Sequence, residues 1–166
     1  MKIFLLLCVS LFALSLKAAE DINGFWKTVD DQTGKPRCVI AVYDYEDLRY
    51  GRIIATFDDK GKVKDSIYNP KEIAPGVKGN RTYCGLDIIW YLQDAGQKFK
   101  GQILDPERGK VYNAELWREF DNLIVRGKLG PFGRSQTWLP AVPSDFPKDF
   151  KMPDLSTMVP NIPETK

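Results

Sequence analysis

The sequence predicts an all-β protein, an eight-stranded antiparallel up-and-down barrel. Eight runs rich in β-branched and aromatic residues follow one another between Gly24 and Pro140, most of them separated by short clusters of Gly, Asp, Asn or Pro that favour turns. Helical periodicity is almost absent from the same stretch. Eight sequentially adjacent strands close most simply into a barrel, which leaves no exposed sheet edge; a two-sheet sandwich is the alternative. A length of 166 residues suits one such domain with a leader and a tail.

The leader comes first. Met1-Lys2 is a short positive start, Ile3 to Leu16 is an apolar run interrupted only by small Ser10 and Ser15, and Lys17-Ala18-Ala19-Glu20-Asp21 turns small and acidic. That is the layout of a secretory signal peptide over residues 1–19, cleaved after Ala18 or Ala19. Fourteen helical residues rise only ~21 Å, short of a ~30 Å hydrocarbon core, so no membrane span is expected after cleavage. Leu6 and Leu7 stand before Cys8 where a lipidation signal wants small residues. Export implies a periplasmic or secreted protein. Lys2 and Lys17 leave with the leader, so 22 of the 24 basic residues face 22 acidic ones, and a balance near zero gives no reason to expect nucleic acid as a partner.

The barrel is expected over residues 20–140. Gly24 to Val29 is a β-prone run closed by the turn cluster Asp30 to Gly34. Cys38 to Tyr45 and Leu48 to Phe57 are long strands around Glu46-Asp47. Residues 61–83 are lysine-rich, carry Pro70 and Pro75, and read as the one long connection with at most a helical turn. Leu86 to Gln93 resumes strand character, with Leu86, Ile88, Trp90 and Leu92 expected on one face. Phe99 to Leu104, Lys110 to Trp117, Leu123 to Leu129 and Arg134 to Leu139 complete the eight, joined by turns at 94–97, 105–109, 119–122 and 130–133. Residues 141–166 differ: six of the eleven prolines fall between Pro140 and Pro163, and each removes a backbone donor and biases its neighbour to extended geometry. A proline-rich extended tail is expected, mainly disordered, with Phe146, Phe150, Met152, Leu155 and Met158 leaving room for partial docking.

The stretches Gly24-Phe25-Trp26-Lys27-Thr28 and Gly34-Lys35-Pro36 resemble the opening of a bacterial exported family, DUF2147. The similarity continues in Gln102-Ile103-Leu104-Asp105-Pro106-Glu107-Arg108-Gly109-Lys110-Val111-Tyr112, in Val125-Arg126-Gly127 and in Phe132-Gly133-Arg134-Ser135-Gln136-Thr137-Trp138. The resemblance spans Gly24 to Pro140 and implies an exported lipocalin-like barrel, without implying an activity. Members often carry a Cys-x-x-Cys in the middle connection, whereas this chain has only Cys84 there. The Gly-x-Trp opening also resembles the first strand of lipocalins, in which a tryptophan closes one barrel end beneath an arginine from a late strand. That implies a structural lid formed by Trp26 with Arg134 or Arg126, a cation–π contact of ~0.5–2 kcal/mol.

The chain has no histidine, which excludes Ser-His-Asp and Cys-His catalysis, His-ligated zinc and a histidine pH switch. After cleavage Cys38 and Cys84 are the one available pair. They form either a disulfide, worth roughly 4 kcal/mol for a loop of about 47 residues, or two small buried side chains that never meet. Asp105 and Glu107 beside Arg108 and Lys110 offer paired carboxylates, yet Asp-Pro at the start and Gly109 at the end are what a tight turn needs. No enzyme activity, catalytic residue, metal site or cofactor is expected. An enzyme using Asp105, Glu107, Arg126 or Arg134 is the least favoured of three readings.

The first reading is a binding module. Trp90, Phe99, Tyr112 and Gln136 would border a barrel cavity that takes a small apolar ligand, with Gly101, Ala114 and Gly127 leaving space beside the rings. The second is a non-enzymatic envelope interaction protein, with the barrel packed solid and the tail contacting a protein partner.

Overall fold

The computed structural model describes residues 18–166. The expected signal peptide over 1–19 therefore lies outside the described residues, save for Ala18 and Ala19. Nine strands follow in order: β1 (Gly24–Val29), β2 (Pro36–Tyr45), β3 (Leu48–Phe57), β4 (Val63–Ser66), β5 (Asp87–Asp94), β6 (Phe99–Asp105), β7 (Lys110–Glu119), β8 (Asn122–Leu129) and β9 (Phe132–Pro140). β1 pairs with both β2 and β9, β2 with β3, and β3, β5, β6, β7, β8 and β9 follow as antiparallel neighbours. Eight strands thus close into the expected up-and-down barrel, without the edges of a sandwich. β4 is an addition to the sequence reading. It lies in the connection that was expected to lack strands, pairs with the far half of β3 (Ala55↔Ser66, Thr56↔Asp65) and stays outside the ring.

Cross-strand partners share a face, and neighbours along a strand alternate. The register therefore carries the inward face around the ring: Trp26 and Thr28 on β1, Cys38 and Ile40 on β2, Gly101 and Ile103 on β6, Tyr112 and Ala114 on β7, Val125 and Gly127 on β8, and Gln136 and Trp138 on β9. β2 is buried from Val39 to Tyr43 on both faces, because the tail crosses its outer side through the 3-10 turn η2 (Leu155–Thr157). That double covering explains the unbroken apolar run in its sequence.

The tail departs from the expectation of disorder. Beyond η1 (Pro143–Asp145), where Lys27 Nζ meets Asp145 Oδ1 at 2.6 Å, Phe146 stacks on Phe150 with centroids 4.6 Å apart, and Tyr68 meets Phe150 edge-on at 5.6 Å. Met158 and Pro163 are buried. Prolines have already restricted the unfolded chain at their own positions, so docking an extended segment costs less entropy than it would for a free coil.

The tail is fastened at one fully buried carboxylate on the outer wall. Asp87 is 0% exposed. It accepts hydrogen bonds from the Tyr43 hydroxyl at 3.0 Å to each oxygen, from Arg52 Nε at 3.2 Å and Nη2 at 2.9 Å, and from the Asn161 backbone N–H. Arg52 also donates to the Val159 carbonyl, and the Asn161 side chain donates to the Gly85 carbonyl at 2.7 Å. Charge, hydroxyl and tail backbone thus satisfy one another, as buried polar groups must.

Candidate functional site

The two ends of the barrel differ. At one end Trp26 is 3% exposed, its indole N–H donates to the Ile22 carbonyl at 2.8 Å, and the guanidinium of Arg118 lies 5.0 Å from its ring centroid. Arg49 stacks in the same way over Phe99 at 4.3 Å. This end is plugged. The other end carries the turns after β1, β3 and β6 and opens into a cavity of about 1050 Å³. Trp138, Val125 and Ile53 form its inner part, Ile103, Tyr112, Thr28, Cys38, Thr56 and Gln136 its wall, and Gly127 a gap in that wall. The barrel is therefore not packed solid, which removes one premise of the envelope-interaction reading.

Polar groups in the cavity are concentrated toward the mouth. Gln136 Oε1 accepts from Trp138 Nε1 at 3.3 Å, which leaves its amide NH2 as a donor. Arg37 spans the opening, 3.6 Å from Asp30 on its own side and 3.5 Å from Glu107 on the β6–β7 turn. Arg134 reaches Asp31 at 2.6 Å. The N–H and hydroxyl of Thr33 hold the Asp30 carboxyl below its usual range, and the Lys62 N–H does the same for Asp58, so both turns at the rim are fixed by their own aspartates. Burial, with Glu107 and Glu72 nearby, pushes the Tyr83 phenol up. Asp105 accepts the amides of Glu107 at 3.0 Å and Arg108 at 3.1 Å, the arrangement of a capped turn.

Of the four residues expected to border a barrel cavity, Tyr112 and Gln136 line the open one and Trp90 and Phe99 do not. Trp90 faces the outer side. Between β3 and β5 the register passes from Arg52↔Asp87 to Gly51↔Ile89, and between β5 and β6 from Trp90↔Gln102 to Gln93↔Lys100. Each step inserts one extra residue in β5, the second at Tyr91 with φ 55°. Two bulges thus turn Trp90 out of the alternation and return Leu92 to the interior; the Trp90 indole N–H donates to outward Gln102 at 2.6 Å. Phe99 does face inward, but in the plugged half under Arg49. Trp138 and Tyr83 line the cavity and were missed; Trp138 was legible as the residue two places along from Gln136 on the same face.

The lid expectation is right about Trp26 and wrong about its arginine. Arg134 lies six residues before Pro140, the register partner of Trp26. At ~3.3 Å per residue that places it ~20 Å away, at the mouth. Arg126 stands between inward Val125 and Gly127 and so points outward. Arg118, opposite Leu123 on β7, supplies the cation. The structure holds Cys38 and Cys84 as free thiols rather than as a bridge. Cys38 pairs with Thr56 across β2 and β3, and its Sγ lies 3.2 Å from Thr28 Oγ1; burial pushes its pKa up to about 11 and raises that of Cys84 as well. Both therefore stay protonated near neutral pH.

No relative is found among curated proteins. Among solved structures the fold is similar to that of HP1028 from the human pathogen Helicobacter pylori, described as belonging to the lipocalin family, with a TM-score of 0.58 and 17% identity over 75% of this chain and 86% of that one. A family model described as an uncharacterized protein conserved in bacteria, DUF2147, matches residues 24–139. With the match running through all eight barrel strands, from the start of β1 to Leu139 in β9, the chain belongs to the DUF2147 family.

Proposed function

We propose that the barrel binds one small amphipathic molecule. Its apolar part would sit against Trp138, Val125 and Ile103, and its polar end would face Gln136 and the charged mouth. The observation that carries this reading is the asymmetry of the barrel: a plug of Trp26 and Arg118 at one end, and at the other an open cavity of about 1050 Å³, at the upper limit of the size of ligand pockets. Gly127 provides the test. A Cβ placed there would stand 3.8 Å from Ile103 Cγ2 and 3.9 Å from Tyr112 Cβ, ordinary contact distances. Gly127→Leu should therefore take up part of the cavity from a Cβ that clashes with nothing, and lower the affinity for the uncharged fluorescent probe N-phenyl-1-naphthylamine by about tenfold or more, equivalent to ~1.4 kcal/mol. Undiminished probe binding to a folded Gly127→Leu protein, or none to the parent, would sink the binding reading.

The proposed setting is the periplasm or the medium outside the cell. The charge and apolar layout of residues 1–19 supports export, and the family is bacterial. Intact mass of the exported form is expected to correspond to a chain starting at Ala19 or Glu20; a chain retaining Met1 overturns the assignment.

A further inference from the structure

The 67–86 connection contributes Glu72 and Tyr83 to the cavity, yet it is not part of the barrel ring. Its own short ladder joins Ile73 to Thr82, with Ala74 N–H donating to Arg81 O at 2.8 Å and Tyr83 N–H to Glu72 O at 2.9 Å. At its root the flap is fixed to the barrel side, where Asp65 accepts the N–H groups of Lys71 and Glu72 at 2.9 Å and Thr56 donates to Glu72 at 3.0 Å; two further clamps hold its tip. On the mouth side, Gly76 N–H donates to the Pro106 carbonyl at 2.9 Å, and Gly76 lies so close to Gly109 that a Cβ on Gly76 would stand 2.1 Å from the Gly109 nitrogen. On the opposite side the flap is gripped by the end of the tail. Lys78 N–H donates to Glu164 O at 2.9 Å, Lys166 N–H to Gly76 O at 3.1 Å, Val77 bridges to Thr165, and the Arg81 guanidinium donates to the Asn161 side chain. Gly76 is thus bonded to the mouth through its N–H and to the tail through its carbonyl.

We propose that residues 158–166 act as a strap that sets access to the cavity, by holding the 67–86 flap as its movable wall. The tail would then be a control element for entry and exit of whatever the barrel holds. The division of anchors supports this. Asp87 and Arg52, on barrel strands, fix the backbone of Val159 and Asn161, while the Asn161 side chain and residues 164–166 touch the flap. Pro160 and Pro163 keep the segment between the two attachments extended, so a pull at one attachment is passed to the other. When the strap lets go, the flap keeps its internal ladder, its link to Pro106 and the bonds of Glu72 to Thr56 and Asp65, but loses the hold on Val77, Lys78 and Arg81, so the arm from Ala74 to Tyr83 can move about the fixed Glu72 and carry Tyr83 from the opening.

Two variants test this in the full-length background and in a chain ending at Thr157. Asn161→Ala removes the side-chain bonds to Arg81 and Gly85 and keeps the backbone bond to Asp87; the shortened chain removes the strap altogether. Amide hydrogen exchange is expected to rise at least tenfold in residues 72–83 of both variants, with β6 to β9 still protected. Release of N-phenyl-1-naphthylamine is expected to quicken by about the same factor. Unchanged exchange in 72–83 overturns the strap. Faster exchange with unchanged release also overturns it as a control of access. If the shortened chain does not fold, Asn161→Ala decides alone. The inference rests on the proposed cavity binding only for its kinetic readout: a parent protein that binds no probe fails that reading, while the exchange measurement still judges the coupling between strap and flap.

Discussion

Replacing Asp87 with alanine is expected to destabilise the fold by about 3–5 kcal/mol, the range for removing one partner of a buried ion pair. The carboxylate is completely buried, and the Arg52 side chain is only 15% exposed. Without Asp87 the guanidinium keeps a bond to the Val159 carbonyl but has no counter-charge, and the Tyr43 hydroxyl and the Asn161 N–H lose their acceptor. Each such orphan adds a desolvation cost of its own. Asp87→Asn keeps an acceptor of the same shape and should retain part of the loss, so the difference between the two variants separates charge from hydrogen bonding. Denaturant midpoints measured with an unchanged m-value decide the matter. A loss under 1 kcal/mol for Asp87→Ala would show that the tail is not fastened here.

Gly76→Ala is expected to cost about 3 kcal/mol, the upper end of what overpacking does. The added methyl would stand 2.1 Å from the Gly109 nitrogen, 2.7 Å from its Cα and 2.8 Å from the Pro106 carbonyl oxygen. All three are backbone atoms, so no side-chain rotation relieves the clash. Either the flap lifts from the β6–β7 turn and breaks the Gly76–Pro106 hydrogen bond, or that turn moves together with Arg37's partner Glu107. Gly127→Ala is the control, because the space beside it is open and replacing a strand glycine recovers roughly 0.5–1 kcal/mol of backbone entropy. Thermal midpoints of the two variants should move in opposite directions. A Gly76→Ala protein as stable as its parent would mean that flap and turn are not in contact in solution.

The strands were legible because their signals are local: β-branched runs of the right length and Asp-, Asn- or Gly-bearing turns sit in the sequence itself. Sidedness was legible where alternation is unbroken, as from Tyr112 to Leu116 and from Leu123 to Leu129. It failed in β5, since nothing in Ile88-Ile89-Trp90-Tyr91 announces two bulges; they arise from fitting β5 between two partners with different registers. The arginine over Trp26 was illegible for a different reason. Arg118, Arg126 and Arg134 are chemically alike, and which of them meets the indole depends on barrel end and strand direction, which follow from closure and not from neighbours in sequence. The tail misled through composition. Proline argued for a free arm, whereas the anchors that order it, Asp87 and Arg52, lie more than sixty residues earlier in the chain.

Closure of the ring has a kinetic side. β1 and β9 meet through Trp26↔Pro140 and Lys27↔Leu139, with one further bond from Ala141 N–H to Phe25 O at 2.9 Å. This seam joins residues more than a hundred positions apart, and Pro140 brings no N–H to it. The chain must lose the entropy of a very long loop before those few rungs reward it, which places folding among the slower, millisecond-to-second topologies. Until the seam zips, the free sides of β1 and β9 are two unpaired strand borders able to pair with other chains. The same short seam that completes the vessel is therefore where a newly made or heated molecule is most exposed to its neighbours.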